Sequence, residues 1–154
     1  MSQSSDRHAD GEPPSSPVSD DTDGALVDRV MTIAHLPQTA HVAVIGHRTL
    51  PLVVALLRRG SEGVRSLRPG SPAPDCEPVD LAWIVDLQDE RELDEALRVA
   101  RGRTGRRGRV ILEGAACACR SALATVCARA LTAGLDVVSF DHTAHRLVLA
   151  TARS

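Results

Sequence analysis

The chain has 154 residues, enough for one domain with a single substantial core. Its apolar content is aliphatic, with one Trp, one Phe and no Tyr, so the base stacking on which most single-strand nucleic-acid readers depend is nearly closed. There is no Lys, which excludes a lysine nucleophile, a Schiff base or a P-loop lysine, and the net charge of -2 divides into -5 over residues 1–24 (six acids against Arg7) and +3 beyond them (17 Arg against 14 acids), too mild to argue for DNA binding.

Residues 1–21 are rich in Ser, Pro and Asp and poor in hydrophobes, which predicts a disordered acidic tail ahead of one domain over 22–154. No apolar leader or membrane-length run is present, so four reduced cysteines in a cytoplasmic protein are expected. Thr22 or Asp23 can cap a first helix whose apolar residues Leu26, Val27, Val30, Met31 and Ala34 recur at helical spacing, ended by Pro37. His41 to Gly46 reads as a buried strand running into a short turn, His47-Arg48-Thr49. Thr49 then caps a helix with Pro51 in its first turn and Gly60 past its end. Val64 to Leu67 is a second strand, and residues 68–79, with four Pro, are a loop.

Leu81 to Val85, ending at Asp86, is a third strand, and Asp89 with Glu92 forms a capping-box-like start to a helix ended by Gly102. Arg109 to Leu112 is a fourth strand, followed after Gly114 by a long small-residue helix to Ala133. Leu135 to Phe140 and Arg146 to Ala150 close the chain as two strands. Apolar, non-alternating strands between helices predict a Rossmann-like, mostly parallel α/β sheet with helices on both faces. Five residues cannot make a parallel crossover, so the last two strands must form an antiparallel hairpin at one edge. The Val42 to Ile45 strand, apolar on both faces, is expected at the centre.

This order of elements, over roughly residues 25–152, resembles class I S-adenosylmethionine-dependent methyltransferases. The local matches are Val42 to Leu50, Val79 to Asp86, and Leu131 to Val138, the last being the pattern of helix end, glycine and penultimate strand. The resemblance implies a cofactor pocket at Gly46, His47, Arg48, Asp86 and Glu113. S-adenosylmethionine is the one cofactor it points to, and no catalytic residue is assigned. The family's acid before a Gly-x-Gly-x-Gly turn is Val44 here. Gly46 keeps the first glycine, while Arg48 and Leu50 replace the other two, crowding the path by which backbone approaches a ligand. At the end of the second strand Leu67 and Arg68 stand where a ribose-binding acid is expected. The short span from Gly46 to Asp86 implies one strand–helix unit fewer. No Asn/Asp-Pro-Pro-aromatic motif follows Asp86, so base or amide methylation finds no support.

Other clusters read as structural. Cys117 and Cys119 point about 200° apart on a helix, whereas Cys119, Leu123 and Cys127 share one stripe, which predicts core; no metal is assigned. Cys117, near a helix N-terminus that lowers a thiol pKa, is the one thiol singled out for testing, and Cys76 is expected to be labelled first and Cys127 last. Asp141-His142-x-x-His145 reads as turn chemistry. Arg101 to Arg109 reads as a solvated connector at the amino edge of the sheet, opposite the expected cleft. Three functions follow: a shortened methyltransferase-like domain that binds or regulates without catalysis, an atypical small-molecule methyltransferase, or an anion or RNA binding module using the Arg-rich connector. The first is favoured. Its expected partner is a protein or a small anionic ligand, with nucleic acid disfavoured and no membrane.

Overall fold

Val42 to Ile45, Leu81 to Ile84 and Val110 to Leu112 are apolar and buried at every position because both sides of the sheet are covered there. The computed structural model describes residues 18–72, 77–114 and 120–153. Its elements are α1 (Val18–Ile33), β1 (His41–Ile45), α2 (Leu50–Arg58), β2 (Gly63–Leu67), β3 (Val79–Ile84), α3 (Glu90–Arg103), β4 (Thr104–Glu113), α4 (Arg120–Thr132), β5 (Leu135–Asp141) and β6 (Arg146–Thr151). They build a six-stranded sheet in the order β2-β1-β3-β4-β6-β5. The pairs β1–β2, β1–β3 and β3–β4 are parallel, and β6 runs antiparallel between β4 and β5. The expected hairpin is therefore the far edge of a mostly parallel sheet. β1 is internal but not central: it lies second from the edge, with β3 and β4 in the middle.

Alternation along each strand sorts the core into two halves. Val42, Val44, Leu81, Trp83 and Ile111 pack with Val27, Val30 and Met31 of α1 and Leu52 and Leu56 of α2. Ala43, Ile45, Ala82, Ile84 and Leu112 pack with Leu93 and Leu97 of α3 and Val126 and Ala130 of α4. The register Val42 to Leu81, Val44 to Trp83 and Ile84 to Leu112 holds each face together. No helix among the described residues is long and apolar enough to cross a membrane.

Several boundaries differ from the sequence reading. α1 starts at Val18. The tail expected over 1–21 otherwise lies outside the described residues, as do Cys117 and Cys119. The inward stripe of α4 is Val126 and Ala130, with Leu123 and Cys127 half-buried beside it. The helix is turned by one position, about 100°, from the cysteine stripe.

The Arg-rich stretch is not a connector. Arg101 to Arg103 finish α3, and β4 begins at Thr104. Thr104 pairs with Val79 and Arg109 with Leu81, so residues 105–108 bulge out opposite Asp80 alone. The bulge exposes Arg106 and Arg107, whereas Arg103 is only 3% exposed and its guanidinium nitrogens have no hydrogen-bond partner among the described residues. The stretch does lie at the amino edge, because β4 runs parallel to β1 and β3.

Candidate functional site

Parallel pairing brings the ends of β2, β1, β3 and β4 to one edge, where all five predicted site residues lie, with Gly46, His47, Arg48 and Asp86 around the ends of β1 and β3. The Gly46 N–H donates to the Leu67 carbonyl at 3.0 Å, and the Val85 N–H to the Ile45 carbonyl at 2.9 Å. Those bonds draw the β1–α2 turn against the end of β3. A Cβ on Gly46 would overlap the Val85 carbonyl oxygen, and the residue has φ +154°. Only glycine fits. Asp86 follows at φ +51°, a left-handed conformation that Asp tolerates. Arg48, with its side chain 90% exposed, has its Nε 3.9 Å from an Asp86 carboxylate oxygen, too far for a hydrogen bond.

His47 turns inward. Its Nε2 is 2.6 Å from Glu92 Oε1, and its Nδ1 is 3.3 Å from Arg68 Nη1. A guanidinium can only donate, so Nδ1 is the acceptor and the proton sits on Nε2, donated to Glu92. Both ring nitrogens are engaged, which leaves no lone pair for general-base work in this arrangement. Glu92 also accepts the Gln88 N–H at 2.8 Å. That bond first, and His47 second, hold its carboxyl below the ordinary value. The capping box is thus half made: Asp89 accepts the Glu92 N–H at 2.8 Å, but Glu92 reaches Gln88 and His47 instead of Asp89.

The fifth residue, Glu113, is committed elsewhere. At the end of β4 its carboxylate binds Nε of Arg146, the cross-strand neighbour on β6. Arg146 is 2% exposed, so Glu113 is the counter-ion of a buried cation. Asp141 accepts the Thr143 and Ala144 N–H groups, as the turn reading expects, and these bonds lower its pKa. His142 stacks edge-on against Phe140, with ring centres 4.5 Å apart. Among the described residues no three His, Cys, Asp or Glu side chains are placed to hold a metal.

A cleft of about 480 Å³ opens between the turn 46–51 and the β2 end 66–68. Thr49 at its floor does not cap α2; its hydroxyl lies 2.5 Å from Ser66 Oγ. A second cleft of about 420 Å³ separates the start of α3 from α4, lined by Leu87, Leu93 and Val126 among others, and contains no predicted site residue. Sequence reasoning missed Glu92 and Arg68 as members of the site. Glu92 carried a signal, its place three residues after Asp89, but its reach to His47 depends on how α3 lies against the β1–α2 turn.

No protein-family model matches this sequence, and no curated protein matches it. Solved structures do. A methyltransferase from Streptomyces caelestis, CcbJ, superposes with a TM-score of 0.64 at 13% identity, covering 94% of this chain and 94% of that one. A TehB-like S-adenosylmethionine-dependent methyltransferase from Corynebacterium glutamicum gives 0.57 at 13% identity, over 90% of this chain and all of that one. An amino pentose methyltransferase from Micromonospora echinaspora, with S-adenosylmethionine bound, gives 0.55 at 13% identity, over 87% and 92% of the two chains. The fold of this chain is therefore a class I methyltransferase-like, Rossmann-like fold. At such identities the likeness concerns fold alone.

Proposed function

We propose that this chain is a methyltransferase-fold domain that acts by binding, of a small anionic ligand or a protein partner, without transferring a methyl group. The observation that carries the reading is Arg68. It occupies the end of β2, where the family resemblance calls for a ribose-binding acid, and its guanidinium faces His47. A cation there cannot accept hydrogen bonds from ribose hydroxyls. Arg48 and Leu50 add bulk to the turn where small residues would let backbone meet a ligand, and both His47 nitrogens are already bonded.

Calorimetric titration with S-adenosylmethionine tests this. A dissociation constant above roughly 100 μM is expected, equivalent to less than about 5.5 kcal/mol. Low-micromolar binding that disappears in Arg48→Ala or Gly46→Val would reverse the reading.

The alternative, an atypical S-adenosylmethionine-dependent small-molecule methyltransferase, draws support from Gly46. Its close approach to Val85 keeps one feature of a nucleotide-binding turn. The bound cofactor of the Micromonospora structure keeps S-adenosylmethionine a reasonable candidate ligand.

A further inference from the structure

The cleft between the β1–α2 turn and the end of β2 has a composition of its own. Among the described residues no carboxylate lines it, and two arginines, Arg48 on the β1–α2 turn and Arg68 past the end of β2, border it. Arg48 is almost wholly exposed and makes no hydrogen bond through its long contact to Asp86. Arg68 is held from behind by the His47 ring nitrogen. The first turn of α2 contains no acid, and the one hydroxyl that could cap it, on Thr49, is turned to Ser66. Helix N–H groups and a positive dipole end therefore face the same space as the two guanidinium groups.

We infer that this cleft binds a nucleoside monophosphate, with the phosphate between Arg48, Arg68 and the first turn of α2. The inference rests on the binding reading above and names the ligand class for the same cleft. Arginine forks match phosphate oxygens two at a time. In dinucleotide-binding folds an arginine accommodates a 2′-phosphate where an acid would hold the free 2′-hydroxyl, so a cation at this position suits a phosphate. The cleft, at about 480 Å³, is within the usual size of small-molecule sites and leaves room beyond a lone phosphate. Leu50, 70% exposed at the mouth, and Pro51 beside it offer an apolar wall for a flat base. Asp86 lies beside Arg48, and Glu92 is already occupied by His47 and the Gln88 N–H.

The test is titration of the full chain with 5′-AMP, adenosine, inorganic phosphate and S-adenosylmethionine, read by calorimetry and by amide chemical shifts of Gly46, Leu50 and Leu52. AMP is expected to bind at least tenfold more tightly than the other three, a difference of about 1.4 kcal/mol. Arg48→Gln and Arg68→Gln are each expected to weaken AMP by tenfold or more, while Arg106→Gln, on the far edge, leaves it unchanged. Adenosine binding as well as AMP would remove the phosphate from the inference, and phosphate binding as well as AMP would remove the nucleoside. An equal loss in Arg106→Gln would mean unspecific attraction and would overturn it. Failure of AMP together with weak S-adenosylmethionine sinks this inference alone, whereas tight S-adenosylmethionine sinks the binding-only reading.

Discussion

His47 of the β1–α2 turn donates its Nε2 proton to Glu92 of α3 across 2.6 Å, tying the candidate site to the helix on the other side of the sheet. The Gln88 N–H and then His47 depress the Glu92 pKa from its ordinary 4.5. A group depressed in the folded state adds stability above its unfolded pKa and loses it as pH falls through the lower folded value. Melting temperature in wild type should therefore fall between about pH 5 and pH 3, and less steeply in Glu92→Gln. Asp28 and Asp141 are also depressed, Asp28 chiefly by Arg59, so a residual slope stays in the variant. Parallel curves for the two proteins would mean that the Glu92 contacts do not form in solution.

Gly46 should tolerate no side chain. Gly46→Ala forces a Cβ onto the Val85 carbonyl at a backbone angle that other residues rarely adopt, and a loss of about 2 kcal/mol or more is expected. Urea unfolding measures it. A change within about 0.5 kcal/mol would show that the turn can move away from β3.

Removing Glu113 should be costly for stability, because it strands the buried Arg146. Glu113→Ala is expected to lose about 3–5 kcal/mol, and the paired change Glu113→Leu with Arg146→Met much less. A cheap single substitution with impaired ligand binding would return Glu113 to the site.

Leu112 and Leu50 make a matched pair for the core. Leu112→Ala deletes a fully buried side chain between β3 and the α3–α4 layer and should cost about 2–5 kcal/mol. Leu50→Ala, mostly exposed, should stay within about 0.5 kcal/mol. Thermal denaturation of both variants separates packing from surface effects.

Amides of Val42 to Ile45 should be among the slowest to exchange, since β1 is paired on both sides and these residues are fully buried. Fast exchange there would contradict the sheet order.

The element order was legible in the residues themselves, because strand and helix reveal themselves through local periodicity. Val42 to Ile45 and Leu81 to Ile84 are apolar without alternation, which already required a sheet covered on both faces. Five residues between Phe140 and Arg146 already required a hairpin. Glycine at 46 could be read as a tight turn.

Side-chain partnership was decided only by the tertiary structure. Glu113 looked like a site acid because it ends a strand, but the register of β4 against β6 sets it opposite Arg146. Arg101 to Arg109 looked like a loop because it is charged, yet pairing of Thr104 with Val79 makes part of it a strand and buries Arg103. Glu92 looked like half of a capping box until α3 brought it within reach of His47. Periodicity fixes which face a residue takes within its own element. Which charge it meets depends on register and on how elements pack, and those contacts join residues tens of positions apart.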